Sequence, residues 1–251
     1  MTDSEIFDRK LRRVRRDRAA RLMTSESRFL RHCADDLLDR IDSINRPFGH
    51  ALVINGAAQS LIAGLSERGV TVDVADAGAV YAGNGLCADE DMPHLPPAHY
   101  DLILSLGLLD TVNDLPGALV LMRRALKPNG LFLAQCAGAG SLETLRAALR
   151  DVDPSVQRTH PMFDVRAAGD LLARAGFVLP VADVDTHQLT YPTVAALLND
   201  LRAHAATNLL LHRHTFARAQ YVMLCERLES GSPITETLAI TTLTGWAPES
   251  Q

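Results

Sequence analysis

From His50 onward the chain alternates short apolar runs with segments of helical periodicity, and this alternation limits the fold more than any other feature. HALVINGA (50–57) is an apolar run opening into a turn, the pattern of a strand buried on both faces. QSLIAGLSERG (59–69) reads as a helix closed by Gly69, and VTVDVAD (70–76) as a second strand. A loop, HLPPAHY (94–100), leads to the strand DLILSL (101–106), the amphipathic helix LPGALVLMRRALKPNG (115–130) and the strand LFLAQCA (131–137). Helices are expected at 141–153, at 165–176 and over about 193–206. Strands separated by helices of this length form βαβ units, so the expectation is a mostly parallel sheet covered on both faces. Ligands of such sheets sit beyond the carboxyl ends of the strands.

Two helices are expected before the first strand. Residues 5–22, EIFDRKLRRVRRDRAARL, hold eight Lys or Arg, with Ile6, Leu11, Val14, Ala19 and Leu22 roughly at helical spacing. Two readings stand for this basic amphipathic helix. It lies solvated on an acidic part of its own domain, or it is an arm for a membrane surface or a partner. A second helix covers 27–44 and stops before Pro47. We therefore divide the chain into a helical segment, 1–48, and a larger unit, 49–251, with a helical cap around 190–230.

With 251 residues and a net charge of -5, the chain has the length for one large domain, and its charge argues against a nucleic-acid partner. Four scattered cysteines (Cys33, Cys87, Cys136 and Cys225) show no metal-ligand spacing and fit a reducing compartment. His212 and His214, read as two residues apart on a helix, point to different faces, so no metal site is expected. No apolar h-region opens the sequence and no uncharged apolar run is long enough to span a bilayer. The expected location is the cytoplasm, with peripheral contact at the inner face of the membrane as the alternative use of the basic helix.

A glycine turn after the first strand, an acid (Asp73) at the end of the second, an acid after the third and a KPNG turn before a later strand resemble the layout of class I methyltransferases, a Rossmann-like, doubly wound fold. The resemblance narrows to the methyltransferase-like assembly factors of mitochondrial respiratory complex I and their alphaproteobacterial relatives, and more distantly to the biotin-pathway methyltransferases that act on malonyl carrier protein. It is carried by IFDRKLRRVRRDRAAR (6–21), RIDSINRPF (40–48), CADEDMPHLP (87–96), VNDLPGAL (112–119), GSLETLRAAL (140–149), FDVRAAGDLLARAGF (163–177), DTHQLTYPTVAALLNDLRAHAATN (185–208) and TLTGWAPESQ (242–251).

The family pattern implies an S-adenosylmethionine (SAM) site. The resemblance puts Asn55, Gly56 and Ala57 at the methionine end, Asp73 at the ribose hydroxyls, Asp89 with Glu90 at the adenine, and Leu106 alongside. The departures are as informative. Where relatives read LDLGCGRG, this chain reads LVINGAAQ: Val53 replaces the acid, and Asn55, Ala57 and Gln59 replace glycines. The family's His-Trp pair is Asp110-Thr111 here. Asn55 tolerates a positive φ, whereas Ala57 and Gln59 add Cβ atoms where the cofactor comes close. Asp110, with Asn113 and Asp114, is either catalytic or caps the next helix. Tyr191 either reaches the substrate cleft or packs in the core, and Trp246 is expected to hold a C-terminal strand at the sheet edge. Three functions follow: a SAM-dependent enzyme acting on a protein or carrier-bound substrate, a scaffold for an assembling respiratory subunit, and a sensor of an adenosine-containing ligand.

Overall fold

The structure is a computed structural model that describes residues 5–23, 25–162, 164–231 and 233–249. Phe163, Ser250 and Gln251, which belong to the similarity segments above, lie outside the described residues. Seven strands form one sheet in the order β3-β2-β1-β4-β5-β7-β6. Strands β1 (His50–Ile54), β2 (Thr71–Asp76), β3 (Leu86–Cys87), β4 (Tyr100–Leu106) and β5 (Leu126–Ala137) run parallel, and β7 (Ile234–Trp246) is antiparallel to β5 and to β6 (Val178–Tyr191). This is the doubly wound arrangement expected. The long edge strand β6 was not foreseen. Trp246 ends β7, which lies between β5 and β6 and not at the edge.

Each central strand feeds two cores by alternation. Ala51 and Val53 face α2 (Arg28–Asp42) and α3 (Gln59–Glu67), packing with Leu37, Leu61 and Leu65. Leu52 and Ile54 face the other side, packing with Leu119 and Met122 of α5 (Leu115–Ala125) and Leu172 of α7 (Val165–Arg174). Such two-sided burial explains why these strands are apolar throughout. Gly69 ends the turn after α3 with φ +77°, a conformation that favours glycine. The segment 1–48 does not stand apart, because Leu37 and Ile41 of α2 belong to the same core as β1.

The cap expected around 190–230 consists of α8 (Val194–Ala203) and α9 (Arg218–Glu229). They pack with α6 (Glu143–Val152) through Leu145, Leu197, Leu224 and Leu228. His212 and His214 lie in the exposed loop between α8 and α9 and not on a helix. Among the described residues, no helix is long and apolar enough to cross a membrane.

The first helix, α1 (Arg9–Leu22), lies over the carboxyl edge of the sheet. Asp8 caps it by accepting from the Leu11 N–H, and Asn113 fixes its entry: Oδ1 accepts from the Ile6 and Phe7 N–H groups and Nδ2 donates to the Phe7 carbonyl. Phe7 packs with Leu209 and Leu210 from the cap. The cap and the loop between β4 and α5 thus hold the start of α1 in place.

Candidate functional site

The carboxyl ends of β1 and β2 and the loop after β3 converge under α1. At this edge β2 ends in Asp76 and not in Asp73. Asp73 stands opposite Leu52 in mid-strand, and its carboxylate turns toward the strand starts, accepting from Tyr100 OH at 3.1 Å and facing His50 Nε2 at 3.1 Å. Strand residues alternate between faces, so counting the strand from its last residue locates the edge acid. Asp73 takes no part in this cleft.

Asp76 is fully buried, and all of its acceptor capacity is used. Oδ1 accepts from Arg16 Nε at 3.0 Å and from the Gly78 N–H at 2.8 Å. Oδ2 accepts from Arg16 Nη2 at 2.5 Å and from the Gly56 N–H at 3.0 Å. Arg16 Nη2 also donates to Asn55 Oδ1 at 2.7 Å, and its guanidinium sits over the Tyr81 ring at 4.5 Å. Asn55 completes the knot. Its Nδ2 donates to the Leu106 carbonyl at 2.7 Å, its Oδ1 accepts from the Ala57 N–H at 2.9 Å, and its φ is +138°. That conformation is rare for residues with a side chain, and Asn55 is held in it by these bonds.

One turn earlier, Arg12 makes a second fork. Nη1 donates to Glu90 Oε2 at 2.6 Å and Nη2 to Glu90 Oε1 at 2.8 Å, with Asp89 Oδ1 at 3.3 Å from Nη1. Its remaining donors go to Thr111 Oγ1 at 3.1 Å and the Leu108 carbonyl at 3.2 Å. Burial opposes the Arg12 charge, but the Glu90 and Asp89 carboxylates outweigh it and hold its pKa above the ordinary value. Arg9 forks onto Asp91 at 2.5 and 2.7 Å, and Arg13 reaches Asp89 Oδ2 at 2.5 Å.

The helix follows its apolar pattern only in part. Of the positions at apolar spacing, Ala19 is buried and Leu11 packs beside Phe7, whereas Ile6, Val14 (53%) and Leu22 (54%) are exposed, and Arg12 and Arg16 are buried in their place. What overrides the pattern is the row of acids at the sheet edge, which a row of guanidinium forks at positions 9, 12 and 16 can satisfy. Of the two readings of α1, the structure has the helix on acids of its own domain.

Of the residues assigned to a SAM site, Asn55, Gly56, Ala57, Asp89, Glu90 and Leu106 do come together, but around the arginines of α1. With α1 seated, the space beneath it does not admit a cofactor. Small-molecule clefts run to roughly 300–1,000 Å³, whereas the cavity beside Arg12, lined also by Phe7, Arg9 and Thr111, is about 10 Å³, room for one water. A separate cavity of about 330 Å³, which α1 does not line, is bordered by Gly56, Gln59, Asp73 and Tyr81. The ribose-type acceptor Asp76 has no lone pair to spare. Gly56 is packed onto its own neighbour, since a Cβ there would lie 1.9 Å from the Tyr81 carbonyl oxygen.

Asp114 caps α5, accepting from the Gly117 N–H at 2.9 Å. Asp110 keeps some exposed surface, yet its carboxyl is packed in protein and burial pushes its pKa up to about 6. Tyr191 does not enter the cleft. Its hydroxyl donates to Asp200 Oδ2 at 2.6 Å inside the cap. The residues missed by sequence reasoning are Asp76, Arg9, Arg12 and Arg16. The available signals were the last position of VTVDVAD and the recurrence of arginine on one helical face.

Arg16→Met leaves Asp76 buried beside two N–H donors and no cation, so urea unfolding is expected to show a loss of about 3–5 kcal/mol. Arg13→Ala, at a half-exposed side chain, costs less than about 1 kcal/mol. Equal effects of the two would contradict the buried Arg16–Asp76 pairing. Asp110 gives a separate test. Its folded pKa is raised, so between about pH 4 and pH 6 the folded state holds more protons than the unfolded state, and the Asp110 contribution to stability falls as pH rises. Asp110→Asn should remove that slope from a pH series of thermal melts, and an unchanged slope would contradict the assignment.

The profile of the family described as a methyltransferase domain matches residues 32–180. The chain is 30% identical over 267 residues to the mitochondrial arginine-hydroxylase NDUFAF5 of Mus musculus, covering 96% of this chain and 77% of that protein. It is 27% identical over 266 residues to the protein of the same name from Danio rerio, covering 97% and 83%. A malonyl-[acyl-carrier protein] O-methyltransferase of Methylovorus sp. is 37% identical over 131 residues, 52% of this chain and 44% of that protein. The fold matches the YcgJ protein of Bacillus subtilis with TM-score 0.58 and 13% identity, covering 87% and 99% of the two chains. It also matches a Haemonchus contortus phosphoethanolamine N-methyltransferase 2, solved with S-adenosylhomocysteine, with TM-score 0.51 and 16% identity, covering 87% and 53%. The chain belongs to the methyltransferase-domain family, with the mitochondrial NDUFAF5 proteins among its relatives over nearly its whole length.

Proposed function

We propose that this chain is a non-catalytic member of the methyltransferase-domain family that serves as a protein-binding scaffold, in the assembly of respiratory complex I. The observation that carries the reading is Arg16, which takes every remaining acceptor of Asp76 and the side chain of Asn55 in the cleft where the family holds its cofactor. Methyl transfer would require α1 to leave, breaking three guanidinium forks at once.

The assembly role rests on similarity to NDUFAF5 over almost the full chain, including parts away from the cleft. A surface for a partner remains available. The outer face of α1 carries exposed Lys10, Arg13, Arg18 and Arg21 beside Val14 and Leu22, which suits an acidic surface of an assembling subunit. The same face would serve contact with an anionic membrane, and the two partners separate experimentally.

In a strain lacking the chain, native gels are expected to show poor assembly of complex I. The wild-type chain should restore it, and a folded Arg18→Glu, Arg21→Glu variant should not. Loss of rescue by the wild-type chain in a background depleted of anionic lipid would identify the membrane as the partner of this face. Normal complex I in the deletion strain would contradict the assembly role. Full rescue by the charge-reversed variant would contradict the use of α1.

A further inference from the structure

Asp73, excluded from the cleft, stands in a second cluster at the opposite end of the strands. His50 begins β1, which lies between β2 and β4, and His99 stands just before β4; one ligand atom from each of the three lies within 4.8 Å of the others. We propose that His50, Asp73 and His99 form a binding site for a divalent first-row transition ion, with Zn²⁺ as the reference ion.

Two imidazoles and one carboxylate are a donor set that zinc and iron(II) sites use, leaving further positions open. Bonds of about 2.0–2.2 Å in a tetrahedral site separate ligand atoms by roughly 3.4 Å. The His50 Nε2 to Asp73 Oδ2 distance is already 3.1 Å. The His50 and His99 rings meet edge to face with centroids 4.7 Å apart, so a rotation of the exposed His99 side chain closes the third edge.

The backbone under each ligand is fixed. The His50 N–H donates to Asp101 Oδ2 at 2.9 Å, the His99 N–H donates to the Ala125 carbonyl at 2.8 Å, and Asp73 is paired in β2 with Leu52. Ligands built on neighbouring strands keep their geometry better than ligands on loops. Tyr100 supplies an outer contact, its hydroxyl donating to the same Asp73 oxygen at 3.1 Å. Asp73 and His99 are exposed, so an ion has an entry path and an open position for water or an acidic group of a partner.

The nearby cation does not compete, because Lys127 Nζ is directed to Asp101 Oδ1 at 3.1 Å. Sequence spacing could not reveal this site, since its ligands are separated by 23 and 26 residues and meet only through strand order. A second His-Asp-His group, His32, Asp185 and His187, lies on α2 and β6 and provides an internal control.

The test is a calorimetric titration of untagged full-length protein with Zn²⁺ and with Co²⁺, whose visible bands report coordination geometry. One equivalent is expected to bind with micromolar affinity, weakened by a factor of at least about 10 in His99→Ala and in His50→Gln. His32→Ala with His187→Ala should bind as the wild type does. His99 is exposed and its substitution leaves the sheet intact, which far-UV circular dichroism verifies. Affinity weaker than about 100 μM overturns the site. So does binding that survives both His99→Ala and His50→Gln, or that is lost only in the His32, His187 variant.

Discussion

A carboxylate as deeply buried as Asp76 needs a cation beside it, and here Arg16 provides it from a helix 60 residues earlier in the chain. The pair is bidentate and dry, a geometry in which neither partner can be removed without leaving a charge stranded. The orientation of α1 follows from it. With Arg16 fixed, helical spacing sets Arg12 over Glu90 and Arg9 over Asp91, and the apolar Val14 and Leu22 are turned out to solvent. The cap then seats Phe7 and accepts the entering strand-like segment, through the Asp8 N–H to Leu209 carbonyl bond at 2.9 Å.

The departures from the family's pattern coincide with these contacts. Asn55 stands where relatives have glycine, and its side chain receives Arg16 and clamps Leu106. Thr111 stands where relatives have an aromatic ring, and its hydroxyl receives Arg12. Gly56, the glycine that persists in the loop, allows close approach to Tyr81. In this chain Asn55 and Thr111 act together in receiving the guanidinium groups of α1.

The sheet was legible in the sequence because alternation along β1, β4 and β5 follows from burial on both faces, as at Ala51, Leu52, Val53 and Ile54. The edge strand β6 was not. Its alternation of Val181, Asp183 and Asp185 with Val184 and Thr186 serves one partner strand and an exposed side, so no continuous apolar run marks it. Asn55, Asp89, Glu90 and Leu106 converge at one edge of the sheet, where they meet the arginines of α1. Asp76 and not Asp73 is the acid at the carboxyl edge because β2 runs three residues beyond Asp73, and the inward face of α1 is decided by ion pairing more than by hydrophobic spacing. The cluster of His50, Asp73 and His99 was illegible in principle, since only the strand order β2-β1-β4 brings it together.

The central claim, that α1 occupies the cofactor cleft, is tested most directly by calorimetric titration of the full-length chain with SAM. A sealed cleft predicts a dissociation constant weaker than about 100 μM, or about -5.5 kcal/mol at best. A dissociation constant in the low micromolar range would contradict it, because SAM could bind so tightly only if the Arg12 and Arg16 side chains were readily displaced from Glu90 and Asp76.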